Sequence, residues 1–235
     1  MIEILVVNGN TTASMTERIR RVAEAVASPA TRITAVNPAS GPESIEGFYD
    51  EALAVPGVLE QIAKGEARSV AGHVIACFDD TGLDAARALA RAPVVGIGEA
   101  AFHAASLIAS KFSVVTTLSR SIPAIEHNLL KYGLAVRCGR VRACEVPVLA
   151  LEGREADAMR RIDVEIEGAK REDRAEAVVL GCAGMADFAA ELSARHELPV
   201  IDGVAAAVVL VEGLTRLRLV TSKLGGYAEP RSKHR

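Results

Sequence analysis

Rings and cysteines are scarce in this chain, and positive charge is not in surplus. There is no Trp, and Phe and Tyr together supply only 3% of 235 residues. The apolar half of the composition is therefore Ala, Val and Leu, which suits strands covered by Ala-rich helices and argues against disorder or collagen-like repeats. A formal net charge of −3 leaves no global basic field to recruit nucleic acid or anionic lipid. Four cysteines are too few to staple a secreted scaffold. None of them shows CxxC spacing, and the five His form no HxH or HExxH pattern, so no metal site is expected. No GxxxxGK[ST] occurs, and Gly96-Ile97-Gly98 lacks the third Gly of a dinucleotide fingerprint. No PLP-type lysine context stands out, and no cofactor is expected. The opening MIEILVVNGN reads as a strand and not as an export signal, and the apolar stretch around Val204–Val211 is far short of a bilayer span. These absences predict a cytoplasmic protein that engages neither nucleic acid nor membrane.

What is present is alternation. Short β-branched runs such as Ile2–Val7, Arg32–Val36, His73–Cys77 and Val94–Ile97 are separated by longer Ala-rich stretches, the pattern of βαβ units and parallel sheets. Thr11 or Thr12 is placed to cap a first helix running to about Ala27. The second half repeats the order, with strands over Phe112–Thr116, Val141–Glu145, Ala177–Gly181 and Pro199–Ile201. Val114 lies 108 positions after Val6, and Arg140 the same distance after Arg32. Cys182 follows Cys77 by 105 positions and Pro199 follows Pro93 by 106. The fold class expected is α/β, with two pseudosymmetric lobes, each a mainly parallel sheet flanked by helices, and an active site in the interlobe cleft. Residues 1–97 with 205–235 are assigned to the first lobe and 98–204 to the second. The polar tail Ser222–Arg235 is expected to fray.

The repeat sorts the cysteines. Cys77 and Cys182 each end a strand and precede a turn into a helix, where parallel sheets bind ligands and helix N-termini favour anions. Such a position lowers a thiol pKa. Most lone cysteines are small buried hydrophobes, but two at equivalent strand ends, one per lobe, would face each other across the cleft. Cys144 aligns with Val36 inside a strand, and Cys138 lies in the turn Arg137-Cys138-Gly139-Arg140; neither suits catalysis. His103, on an Ala-rich helix, is read as a packing residue.

Two opposed thiols fit one chemistry. A thiolate removes an acidic C–H proton from one face while a thiol delivers a proton to the other, and exchanging the faces reverses the reaction. The carbanion must spread onto an adjacent carbonyl, whose oxygen wants backbone N–H donors from the turns after the cysteines.

The segments Asn8-Gly9-Asn10-Thr11-Thr12, Ala76-Cys77-Phe78-Asp79-Asp80-Thr81-Gly82 and Leu180-Gly181-Cys182-Ala183-Gly184-Met185 resemble the Asp/Glu/hydantoin racemase superfamily, in particular its hydantoin and allantoin racemase branch. Gly96-Ile97-Gly98-Glu99 and Phe112-Ser113-Val114-Val115-Thr116-Thr117 resemble it too, so the likeness runs through most of the chain. The resemblance implies two lobes, an interlobe site, no cofactor, and Cys77 and Cys182 as acid–base residues. It also implies ring contacts from Asn8, Thr116, Thr117, Phe78, Asp79, Ala183 and Gly184. Gly9 departs from the branch, which more often has Pro there, and a looser loop is expected. The neighbours that aspartate and glutamate racemases place beside their cysteines are missing: Phe78 follows Cys77 and Ala183 follows Cys182. A neutral cyclic ureide is thus favoured over a free amino acid. Ile45 and Phe48, in the loop after the second strand, are candidate walls for the ring's C5 substituent, with Phe48 equally suited to stapling the next helix. The expected activity is racemisation of 5-monosubstituted hydantoins, allantoin among the candidates, by a homo-oligomer. The alternatives are an isomerase of acyclic amino or dicarboxylic acids and a non-catalytic ligand-binding protein.

Overall fold

Eight strands form two sheets in a computed structural model that describes residues 1–153 and 155–231. In the first, β1 (Ile2–Val7), β2 (Thr31–Val36), β3 (Gly72–Ile75) and β4 (Val94–Gly96) lie in the order β2-β1-β3-β4. In the second, β5 (Phe112–Thr116), β6 (Cys138–Ala143), β7 (Ala177–Gly181) and β8 (Val200–Ile201) lie in the order β6-β5-β7-β8. All the pairings are parallel. The two orders are the same when the strands are counted from the start of each half, as the residue offsets required.

The apolar runs explain the central strands. Residues 112–116 and 177–181 are buried throughout, because helices cover both faces of a parallel sheet. Helices α1 (Ala13–Val26), α4 (Ile97–Ile108), α5 (Ile122–Lys131) and α8 (Gly203–Arg216) contribute to one apolar cluster that includes Ile4, Val6 and Val74 of the first sheet and Val114 and Val179 of the second. Helices α2 (Phe48–Ala67) and α3 (Leu83–Leu89) cover the outer face of the first sheet. Helices α6 (Ala156–Arg171) and α7 (Ala189–His196) cover that of the second. The two sheets therefore share their central core. The C-terminal helix α8 returns to the first sheet, where Val211 fills the space left by the missing side chain of Gly72 and Thr215 Oγ1 donates to Ala71 O at 3.4 Å.

Several local expectations are corrected. Cys138 opens strand β6 and does not sit in a turn; β6 is an edge strand whose register against β5 shifts between Phe112 and Val114, so polar Gly139 and Arg140 are tolerated there. Thr12 does stand at the N-cap of α1, but its hydroxyl donates to Glu43 O at 2.7 Å and caps nothing. The described part of the tail is held. Lys223 Nζ donates to Arg87 O at 2.6 Å and Ala88 O at 3.0 Å, placing a cation on the last carbonyls of α3, and Tyr227 Oη donates to Asp84 at 2.9 Å. The last four residues of the expected fraying tail lie outside the described residues. Among the described residues no helix is long and apolar enough to cross a membrane.

Candidate active site

The carboxyl ends of the two sheets open onto one cavity of about 420 Å³, its mouth included. Its wall contains Cys77 and Cys182, one from the exit of β3 and the other from the exit of β7. Both exits turn in the same way. Asp80 N–H donates to Cys77 O and Met185 N–H to Cys182 O, each at 3.0 Å. The amide two residues beyond Cys182 is turned back on its sulfur, Gly184 N–H reaching Cys182 Sγ at 3.4 Å, and the amide of Asp79, two residues beyond Cys77, offsets part of the rise in that thiol's pKa. Cys77 Sγ also lies 3.2 Å from Thr81 Oγ1. Asp80 (φ 52°) and Gly82 (φ 75°) adopt the left-handed conformation that lets the first turn double back into α3.

The expected lowering of the thiol pKa values is overturned. Burial pushes both thiols up, and the charge of Asp79 pushes them further; the N–H and O–H partners offset this only in part. Cys182 is held at about 12 and Cys77 higher still. Desolvation at the floor of the cavity outweighs the few amide dipoles at the strand ends. Asp79 is itself raised to about 8, first by burial and then by the charges of Glu51 and Asp80. Glu51 Oε1 is buried with no hydrogen-bond partner among the described residues.

Of the residues singled out from sequence, Asn8, Ile45, Phe78, Asp79, Thr117 and Ala183 join the two cysteines on the wall. Phe48, Thr116 and Gly184 are not part of it. Phe48 is largely exposed at the start of α2 and stacks on His127 with centroids 6.4 Å apart. Thr116 turns inward and donates to Gly181 O at 3.0 Å. Gly184 acts on Cys182 through its amide. Asn8 has a structural engagement as well, donating through Nδ2 to Asn10 Oδ1 at 2.8 Å and Thr16 Oγ1 at 3.0 Å. With Asn10 Oδ1 accepting from Thr12 N–H at 2.9 Å, the loop after β1 is pinned, not loosened, despite Gly9. Gly9 itself is needed for closeness, since a Cβ there would stand 2.9 Å from Ile45 Cδ1 and 3.4 Å from Cys77 Cβ.

Sequence reading missed Asn10, Met15, Ser121 and Val148 on the wall. Asn10 was within the quoted N-G-N-T segment and could have been found there. Ser121 and Val148 stand in short 3-10 turns that no periodicity announces. The loop carrying Ile45 is tied to the second half by Val148 N–H, which donates to Glu46 Oε1 at 2.9 Å. Among the described residues the wall has no Arg, Lys or His. Of the remaining cysteines, Cys144 is buried and donates to Thr117 O at 3.7 Å, and burial raises it to about 11. Cys138 is raised to about 12, also by burial. Among the described residues no group of three His, Cys, Asp or Glu side chains converges on a metal-sized site.

Two repeated α/β halves thus meet at a cavity whose wall carries one strand-end thiol from each. Comparison with known proteins gives the family: residues 4–211 match the model for Asp/Glu/hydantoin racemases, and the chain belongs to that family. A hydantoin racemase of Rhizobium meliloti is 50% identical over 98% of this chain and 95% of its own. An allantoin racemase from Klebsiella pneumoniae superposes with a TM-score of 0.97 at 48% identity, over 99% of this chain and 95% of its own. The allantoin racemase of Pseudomonas fluorescens gives 0.96 at 43% identity, over 99% of both chains. The chain is an isomerase of the racemase type.

Proposed function

We propose that this racemase interconverts the enantiomers of 5-monosubstituted hydantoins, allantoin among them, by proton transfer between Cys77 and Cys182 across C5. The observation that carries this reading is the shared wall: two thiols on matching turns of opposite sheets, with no basic side chain on it among the described residues. A free α-carboxylate would meet no counter-charge from the described residues of that wall. A neutral ring carrying N–H donors needs no counter-charge, and this disfavours acyclic amino or dicarboxylic acids. The names of the two allantoin racemases and the hydantoin racemase point to the same substrate class.

In the proposed reaction one cysteine is a thiolate and the other a thiol. The thiolate takes the C5 proton, the electron pair moves onto the C4 carbonyl as an enolate, and the opposite thiol delivers its proton to the other face of C5. We assign the oxyanion to the amides of Phe78 and Ala183, the first beyond each cysteine on the cavity wall.

Polarimetry on single-enantiomer hydantoins tests the reading, with C77A and C182A as controls. Each variant is expected to lose racemisation while still exchanging the C5 hydrogen of one enantiomer with deuterated solvent, since one face keeps its base. Racemisation surviving in either variant overturns the two-thiol mechanism. Turnover of an amino acid, with none of any hydantoin, overturns the substrate class.

A further inference from the structure

Each cysteine turn is anchored by a side chain from the opposite half of the molecule. Asn128 of α5, the helix following β5, donates through Nδ2 to Asp79 O at 2.8 Å. Arg18 of α1, the helix following β1, donates through Nη1 to Gly184 O at 3.2 Å and to Leu151 O at 3.2 Å. Asp79 and Gly184 both stand two residues beyond a cysteine. β1 and β5 hold the same place in their sheets, so the two anchors mirror each other. At Cys182 the residue so anchored is also the one whose amide N–H reaches the sulfur, at 3.4 Å. In both turns the C=O two residues beyond the cysteine is held from across the cleft.

The first turn has a further tie of the same origin. Tyr132, one helical turn beyond Asn128, donates its hydroxyl to Asp80 Oδ2 at 2.7 Å. Asp80 in turn accepts from Gly98 N–H at 3.0 Å and Glu99 N–H at 2.8 Å, closing the N-terminus of α4. The Gly96-Ile97-Gly98 segment, unexplained by any nucleotide, thereby has a role: a Cβ at Gly96 would stand 2.0 Å from Asp80 Oδ1, and one at Gly98 2.3 Å from Phe78 O.

Each sheet can fix its own cysteine, but neither alone can fix the distance between the two. Proton transfer through one carbon requires both sulfurs to be placed, and a misplacement of about 1 Å costs on the order of a hundredfold in rate. We infer that Asn128 and Arg18 are positioning residues, each setting the cysteine of the opposite half: Asn128 for Cys77, Arg18 for Cys182. This rests on the two-thiol reading above.

The test separates the two faces. The C5 hydrogen exchange of each pure enantiomer in deuterated buffer is measured over the uncatalysed background, alongside racemisation. C77A and C182A first establish which enantiomer each thiol deprotonates. N128A is expected to lower racemisation kcat about tenfold or more with little change in KM. It should slow exchange only of the enantiomer assigned to Cys77. R18A should give the opposite face, and N128Q, which keeps an amide donor, should recover part of the lost exchange. Should an alanine variant fail to fold, N128Q and R18K carry the same comparison of faces. Equal loss of exchange from both enantiomers, or no loss, overturns the inference while leaving the two-thiol reading intact. Racemisation by C77A or C182A overturns that reading and this inference with it.

Discussion

Gly98 and Asp79 show how much of the site is decided by single atoms. A Cβ at Gly98 would meet the backbone oxygen of Phe78, which cannot swing away as a side chain can. G98A is expected to destabilise the protein by about 1–3 kcal/mol, read as a lower urea midpoint with unchanged slope. Asp79 makes a pH prediction. Its carboxyl is raised from 3.8 to about 8 in the folded chain, so the folded state binds the proton more tightly than the unfolded one. Its contribution is fully present below about pH 4 and is lost as pH rises through about 8. D79N should therefore gain melting temperature relative to the parent as pH is raised across that window. Because the charge of Asp79 also holds both thiols up, D79N should move the alkaline rise of racemase activity to lower pH. An activity profile that stays in place would show that Asp79 does not govern the thiols. The identity of the paired cysteines was legible from their spacing and strand ends. Their pKa values were not, because burial and the Asp79 charge come from tertiary packing that no local pattern encodes.

Helices and strands were legible where burial is two-sided. β1, β5 and β7 have the bounds that their continuous apolar runs predict. β6, exposed along one edge, begins three residues before Val141 because polar residues can occupy an edge strand. The tail illustrates the same limit at a helix end: its sequence is polar, yet Lys223 finds the C-terminal carbonyls of α3. Replacing Lys223 with alanine should cost about 0.3–1 kcal/mol and expose the tail to limited proteolysis. Cleavage no faster than in the parent would show that the Lys223 contacts do not hold the tail. The cap of α4 was equally hidden, since it comes from Asp80, whereas the corresponding helix α8 uses its own neighbour Asp202, bonded to Val204 N–H at 2.8 Å and Ala205 N–H at 2.9 Å.

Across the whole molecule, the few aromatic residues are concentrated at the junction. Phe102 is fully buried on α4, edge-on to Phe78 of the first cysteine turn with centroids 5.4 Å apart, and stacked on Phe112 of β5 at 6.0 Å. Three of the five phenylalanines thus bridge the halves. F102A should cost about 3–5 kcal/mol. With one core shared by both sheets, the parent should unfold in a single transition by both circular dichroism and fluorescence of its tyrosines. Two separated transitions would show that the halves fold independently. Duplication was visible in the residue offsets, and the return of the C-terminal helix to the first sheet was expected from the assignment of 205–235, but the sharing of one core by α1, α4 and α5 was not, because their apolar faces do not say which sheet they meet.

The two thiols have unequal surroundings, a Thr81 hydroxyl beside Cys77 and the Gly184 amide beside Cys182. Mirror-image molecules have equal free energies, so a racemase's equilibrium constant is one and kcat/KM must be the same in both directions. That inequality can therefore never enrich one enantiomer. It can only divide the same kcat/KM differently between turnover and affinity, so the direction that binds more weakly must run faster at saturation.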